Sequence, residues 1–276
     1  MQLIRAAVLG SPISHSLSPL LHNRAYQVLG IAGEYSAIEV RSGELGTFLD
    51  SQSQEEWTGF SLTMPLKEEV LSFGFTTDQI ALQSGSANTL VADGGTFRAL
   101  STDYLAFKNL LDISDNARVA VIGGGGTARS ALAAVAKRVS GIDIYLRDLA
   151  KASRLQGAAP NTTLNPISYS DLTPQVLSEY DWIISAVPAG ASDEIALSLA
   201  RADLNLRSTH LVEVLYNPWP TDLLMAARFS GAQIIDGLDI LVEQALYQIE
   251  IFTQRNFDFS KMRQELLKTG LIALHS

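Results

Sequence analysis

Two hydrophobic rhythms alternate along most of this chain. Short apolar runs closed by glycine or proline read as buried strands. Stretches with apolar residues three and four apart read as amphipathic helices. Ala6-Ala7-Val8-Leu9-Gly10 is the first strand-like run. Ser18-Pro19 opens a helical pattern carried by Leu20, Leu21, Ala25, Val28 and Leu29, with Ser18 in the N-cap position and Pro19 at the first helical one. Residues 35–40 read as a strand, 44–49 as a short helix, 60–63 as a strand ending at Pro65, and 67–73 as a helix. Residues 86–91 and 96–100 form a hairpin across Asp93-Gly94-Gly95. This alternation predicts a mostly parallel sheet.

A second unit begins near Asp103. Residues 104–111 are helical in pattern. Val119-Ala120-Val121-Ile122 is a strand entering four glycines, and residues 128–139 follow as a helix. Further strands are expected at 142–146, 181–186 and 211–215, and Ile234-Ile235-Asp236-Gly237 closes the unit. Residues 241–252 and about 260–271 are two amphipathic helices that should return to the first region. The expected organisation is 1–102, 103–237 and 238–276, with the last segment packing on the first. The fold class is α/β.

Composition narrows the partners. A net charge of −9 argues against nucleic acid or an anionic membrane, since phosphate surfaces need a basic face. With no cysteine there are no disulfides, thiolate metal sites or cysteine nucleophiles. No secretory signal or run of spanning length appears, and the expected location is cytoplasmic. His15 and His22 have no partner at a ligand spacing, so they read as structural or loop residues and no metal is expected.

The chemistry lies in scattered polar residues. Ser16 and Ser18 are near the start, Lys67 follows Thr63-Met64-Pro65-Leu66, Asn88 sits in Gly85-Ser86-Ala87-Asn88-Thr89-Leu90, Asp103 follows Thr102, and Gln244 is near the end. Hydroxyl- and amide-bearing side chains with a single lysine suit a small polyhydroxylated molecule. Between them lies Gly123-Gly124-Gly125-Gly126-Thr127-Ala128, in which Gly123, Gly125 and Ala128 fit G-x-G-x-x-A after a strand. The first glycine permits the turn, the second admits a pyrophosphate to backbone N–H groups, and the small third residue allows close helix–strand packing. Together these features suggest hydride transfer between a dinucleotide and a polyol.

An acidic residue at the end of the next strand favours NAD, and an arginine can hold the 2′-phosphate of NADP. This chain has both, as Arg147-Asp148. Arg147 with Lys151 could clamp the phosphate, whereas Asp148 would repel it if it faced the ribose. Arg154 reads as a solvated helix charge. Reducing a ketone by hydride needs a proton donor or cation at the nascent alkoxide, and Lys67 beside Asp103 suits either role.

The stretch 10–23, from Gly10-Ser11-Pro12 through Ser16-Leu17-Ser18-Pro19 to His22-Asn23, resembles the N-terminal signature of shikimate dehydrogenases. Ser61-Leu62-Thr63-Met64-Pro65-Leu66-Lys67 is similar to their N-V-T-x-P-x-K block, and Gly85 to Leu90 to G-A-x-N-T-L. Thr102-Asp103 resembles part of N-T-D-G, Tyr216-Asn217-Pro218-Trp219-Pro220-Thr221 resembles Y-x-P-x-x-T, and Gly237 through Gln244-Ala245 resembles G-x-x-M-L-x-x-Q-A. The likeness runs in order through nearly the whole chain. It implies an N-terminal α/β substrate domain, a doubly wound Rossmann-type nucleotide domain, and an active site in the cleft between them.

It also implies residue roles. Ser16 and Ser18 would bind the substrate carboxylate, and Thr63, Asn88 and Gln244 the ring hydroxyls. Lys67 and Asp103 would touch the reacting oxygen, and Tyr216 would close the pocket. Ala186, Val187, Pro188, Val214 and Gly237 would line the nicotinamide end. The implied activity is NADPH-dependent, reversible reduction of 3-dehydroshikimate to shikimate in aromatic amino-acid biosynthesis, by a monomer or homodimer. An NAD-preferring quinate/shikimate dehydrogenase and a non-catalytic dinucleotide sensor are the alternatives.

The chain departs from these blocks at particular positions. Ser61 stands for Asn, Ser101 for the Asn before Thr-Asp, and Tyr104 for the Gly after it. Leu146 and Asp148 replace the Asn and Thr around Arg147. The first three touch the substrate network and the last two the cofactor preference.

Overall fold

A computed structural model describes residues 3–52 and 56–275. The chain folds as two compact units, Met1–Ala106 with Leu241–Ser276, and Phe107–Ile240. The crossings fall inside helices, a few residues later than the boundaries expected at 102 and 237.

The first unit runs β1 (Ile4–Gly10), α1 (Ser18–Leu29), β2 (Gly33–Glu39), α2 (Leu45–Ser51), β3 (Gly59–Leu62), α3 (Leu66–Glu69), β4 (Thr76–Thr77), α4 (Gln79–Ser84), β5 (Thr89–Asp93) and β6 (Thr96–Leu100). α5 (Thr102–Leu110) leads out of it. The sheet order is β2-β1-β3-β5-β6-β4. β1 pairs parallel with β2 and β3, and β4 pairs parallel with β6; the β3–β5 and β5–β6 pairings are antiparallel. The sheet is therefore mixed, with the parallel pairings in the majority. At the tip of the hairpin, Gly94 and Gly95 both take positive φ, which the tight turn requires.

The second unit contains β7 (Val119–Ile122), α6 (Gly126–Val135), β8 (Gly141–Leu146), β9 (Thr163–Ser168), α7 (Pro174–Leu177), β10 (Trp182–Ser185), α8 (Asp193–Arg201), β11 (His210–Glu213), α9 (Asp222–Phe229) and β12 (Gln233–Ile235). Its six-stranded sheet has the order β12-β11-β10-β7-β8-β9, with parallel pairings throughout. Counted from β7 as the first strand, this is the 3-2-1-4-5-6 order of a dinucleotide-binding sheet, and it reverses between β7 and β10. Ligands bind such sheets outside the carboxyl ends of the strands at that reversal.

α10 (Gly237–Thr253) and α11 (Phe259–Leu274) complete the chain. Phe252 of α10 joins the core formed by Val8, Tyr26 and Tyr35, and Gly59 of β3 makes room for it. A Cβ at Gly59 would stand 2.6 Å from the Phe252 ring. α11 packs along α1, where Arg24 Nε donates to Glu265 at 2.8 Å. The other face of the sheet buries Leu9, Phe60, Leu90 and Phe97.

Several expectations are corrected. Ser18 is not the N-cap of α1: Leu17 holds that position with no side-chain cap, and the Ser18 N–H donates instead to Ser16 Oγ at 3.3 Å. The helix after the glycines begins at Gly126 rather than residue 128 and ends at Val135. Residues 70–73 tighten into a 3₁₀ turn after α3. β11 stops at Glu213, so Val214 and Leu215 lie in the loop beyond it.

Candidate active site

The residues expected on the substrate side gather at one end of the first unit's sheet. β1 and β3 are parallel, β5 runs against β3, and β6 against β5. The C-terminal ends of β1, β3 and β6 therefore meet the N-terminal end of β5. Ser16 and Ser18 follow β1, Thr63 and Lys67 follow β3, Asn88 precedes β5, and Asp103 begins α5. Gly10 allows the first two segments to meet. The Ser11 N–H donates to the Met64 carbonyl at 3.0 Å, and any Cβ at Gly10 would lie 2.3 Å from Thr63 Cγ2.

Lys67 Nζ donates to Asp103 Oδ2 at 2.6 Å, with side chains only 15% and 6% exposed. A pair this well shielded is screened far less than a surface ion pair. Asn88 Nδ2 donates to Asp103 Oδ1 at 2.9 Å and to Gln244 Oε1 at 3.2 Å. Asn88 Oδ1 accepts from the Thr102 N–H at 2.7 Å. Gln244, on α10, donates to the Leu241 carbonyl at 2.7 Å. Asp103 thus uses one carboxylate oxygen for the lysine and the other for the amide. The Ala87 N–H donates to the Lys67 carbonyl at 2.8 Å, which ties the two blocks together through backbone. The Ser101 hydroxyl accepts from the Tyr104 N–H at 3.4 Å, so this departure acts in the first turn of α5.

Thr102, Thr89 and Gln248 also belong to this layer; of these the sequence pointed only to Gln248, which shares the helix face of Gln244 and could read as polar surface or as part of the site. Thr102 Oγ1 lies 2.9 Å from Asn88 Nδ2, and Gln248 Nε2 donates to Thr89 Oγ1 at 2.9 Å.

His22 is fully buried and stacks on Tyr35 with ring centroids 3.9 Å apart. Burial pushes its pKa down to about 3, so it is neutral at physiological pH and belongs to the core. Among the described residues, no group of three or more His, Cys, Asp or Glu could hold a metal.

The residues expected on the cofactor side lie in the second unit, at and beside the reversal point of its sheet. Gly123 follows β7 with φ +109, and a Cβ there would meet the Ala186 carbonyl oxygen at 2.4 Å. Gly125 is the N-cap of α6 with no side-chain cap, and the space in front of it is open to 4 Å. Gly126 and Thr127 form the first turn behind it, and Ala128 is wholly buried. Gly124 packs near Leu146 and Leu155. A helix start without a side-chain cap offers backbone N–H groups and the positive end of its dipole to an anion.

Arg147 and Lys151 are exposed beyond β8. Asp148 caps the 3₁₀ turn Leu149–Arg154, accepting from the Ala150 N–H at 3.1 Å. Ala186, Val187 and Pro188 follow β10. Val214 and Tyr216 follow β11, and Gly237 starts α10. A Cβ at Gly237 would stand 2.3 Å from the Leu215 carbonyl carbon, so the backbones touch there. Beside them Glu213 is wholly buried. Its carboxylate accepts from the Leu215 N–H at 3.3 Å and Thr221 Oγ1 at 3.5 Å, and burial raises its pKa to about 7.

A parallel doubly wound sheet with a glycine cradle, joined in one chain to a buried polar cluster with a lysine–carboxylate pair, defines the class of nucleotide-dependent dehydrogenases with a separate substrate domain. Comparison with known proteins narrows it. Residues 8–90 match the shikimate dehydrogenase substrate binding domain, and residues 237–267 match the shikimate 5′-dehydrogenase C-terminal domain. Shikimate dehydrogenase (NADP(+)) of Halothermothrix orenii is 32% identical over 260 residues, covering 89% of each chain. The crystal structure of Mycobacterium tuberculosis shikimate dehydrogenase superposes with a TM-score of 0.83 at 32% identity, covering 98% of this chain and 99% of that one. That of shikimate 5-dehydrogenase from Thermus thermophilus in complex with shikimate gives 0.82 at 26% identity, covering 99% and 100%. The chain belongs to the shikimate dehydrogenase family.

Proposed function

We propose that this protein is an NADP-linked shikimate dehydrogenase, reversibly reducing 3-dehydroshikimate to shikimate. The observation that carries the reading is the buried cluster in which Lys67, Asn88 and Gln244 converge on or beside Asp103. The naming of the H. orenii relative and the shikimate bound to the T. thermophilus relative support the substrate and cofactor.

Bound at the glycine cradle, NADPH supplies the hydride. The cradle fits a pyrophosphate: Gly125 leaves space where a side chain would intrude, and the α6 start has no capping side chain. Arg147 and Lys151 are available to a 2′-phosphate, and Asp148 spends its carboxylate capping its own turn, which favours NADP over NAD. Ala186, Val187, Pro188, Val214 and Gly237 would border the nicotinamide.

On the substrate side, Ser16 and Ser18 hold the carboxylate, Thr63, Asn88 and Gln244 hold ring hydroxyls, and Tyr216 covers the substrate. As the ketone carbon gains hydride, its oxygen gains charge. Lys67 stabilises that oxygen and delivers the proton that completes the alcohol, and Asp103 holds the ammonium in place. In the oxidative direction the same proton returns to Lys67. Every residue of the buried cluster comes from one chain, so a monomer or a homodimer can carry the reaction. A cytoplasmic location goes with this reading.

The test is an initial-rate matrix of shikimate or quinate against NADP or NAD. Turnover with shikimate and NADP is expected. Lys67→Ala should lower kcat by ~10²–10⁴ while NADP affinity holds. Tight NADP binding without turnover on any pair would instead mark a dinucleotide sensor.

A further inference from the structure

Beneath the Lys67–Asp103–Asn88 cluster lies a second polar layer with its own direction. The Tyr35 hydroxyl donates to Ser61 Oγ at 2.6 Å, and Ser61 Oγ donates to Gln248 Oε1 at 2.8 Å. Gln248 then spends both amide protons on one target region, donating to Thr89 Oγ1 at 2.9 Å and to the Asn88 carbonyl at 3.3 Å. The layer is sealed: Tyr35 is 2% exposed, Ser61 5%, Gln248 1% and Thr89 0%. A buried glutamine with both ends satisfied cannot turn over without leaving a donor or an acceptor unpaired, which costs more than the bonds themselves contribute.

That fixed amide has a consequence one step further on. Thr89 Oγ1 accepts from Gln248, so its own proton is left for Thr102 Oγ1 at 3.4 Å or for Asn88 Oδ1 at 3.3 Å. The Thr102 N–H donates to Asn88 Oδ1. With its Oδ1 held by donors on that side, the Asn88 side chain must present Nδ2 to Asp103 Oδ1 and Gln244 Oε1. Asp103 keeps Oδ2 for Lys67. A flipped Asn88 would set an oxygen against the Asp103 carboxylate.

We propose that Gln248 is a positioning residue for substrate. Through Thr89 it sets the orientation of the Asn88 amide, and so the geometry of the Asn88–Asp103–Lys67 group. The short side chain at Ser61 is its counterpart. It leaves the space that the Gln248 amide enters from α10, and it supplies the donor that fixes which end of that amide points where. Position 61 is one of those at which this chain departs from the block it resembles, so the amide missing from β3 is supplied from α10. This inference rests on the proposed shikimate dehydrogenase reading. It adds a residue that reaches substrate only through others.

The experiment is steady-state kinetics of wild type, Gln248→Leu, Thr89→Val and the double variant, varying shikimate and NADP separately. Leucine keeps much of the volume of glutamine and removes its hydrogen bonds. The expected result is a rise of about tenfold or more in KM for shikimate in Gln248→Leu, with KM for NADP unchanged. The double variant should be little worse than either single one, because both break the same relay. If Gln248→Leu does not fold, Thr89→Val alone reads the relay from its other end, with the same selective rise in KM for shikimate expected. An unchanged KM for shikimate, equal losses for both substrates, or multiplicative effects in the double variant would overturn the proposal while leaving the functional reading intact. A wild-type chain that does not turn over shikimate would overturn that reading, and this proposal with it.

Discussion

Glu213 ends β11 with its carboxyl wholly out of solvent, accepting long hydrogen bonds from the Leu215 N–H and Thr221 Oγ1. Burial lifts its pKa from 4.5 to about 7. The folded state therefore keeps a proton that the unfolded chain gives up above pH 4.5. Its contribution is favourable below that value and is lost as pH rises through about 7. Replacing the acid by its neutral isostere removes the penalty. Glu213→Gln should be more stable than wild type at pH 8, by up to about 3 kcal/mol, and nearly equal to it at pH 4.5. Urea melts at the two pH values check this, and equal differences at both would refute it. At the same scale, Lys67, Asn88 and Asp103 are legible in sequence because each sits in a short block of strand-end and turn residues. Gln248 is legible only by its place one turn after Gln244, since a glutamine on an amphipathic helix reads the same whether it faces water or a sealed polar layer. Ser18 misled for a related reason. Ser-x-Ser-Pro offers two hydroxyls to one helix start, and the local backbone gave the contact to Ser16.

Among the elements, β7 through α6 forms the proposed cofactor cradle, and the glycines within it do different work. Gly123 needs its left-handed backbone and touches Ala186, so any substitution there strains the fold. Gly125 has ordinary backbone angles and open space ahead. Gly125→Val should therefore leave the melting temperature nearly unchanged while its side chain fills the cradle and weakens NADP binding by tenfold or more, on the order of a lost anion contact. A fluorescence titration with NADPH beside a thermal melt separates the two effects, and loss of both together would show that the loop cannot accept a side chain. The strands of this unit are legible where they are buried on both faces, as with Val119-Ala120-Val121-Ile122. β9 is not: it is an edge strand of sequence Thr-Leu-Asn-Pro-Ile-Ser, half exposed, with a proline that a central strand would refuse. α8 and α9 do carry the helical spacing, with Ile195, Ala196 and Leu199 buried in one and Leu223, Leu224 and Ala227 in the other.

At the scale of the whole molecule, the second unit is one uninterrupted stretch, whereas the first takes residues from both sides of it. Gln244 and Gln248 meet Asn88 across 156 and 160 residues of chain. A chain ending at Ile240 should thus keep its affinity for NADPH and have no shikimate turnover, as a titration and a rate assay on the same preparation would reveal; lost affinity would mean that the nucleotide unit depends on the two C-terminal helices. Synthesis adds a temporal order to this arrangement. The nucleotide cradle is fully made before the ribosome reaches Leu241, and at roughly 5–20 residues per second the remainder takes seconds. During that interval the polar cluster of the first unit lacks Gln244 and Gln248, and its core lacks Phe252. A ribosome that stalls there leaves a first unit with an open seat opposite Gly59, where the Phe252 ring belongs.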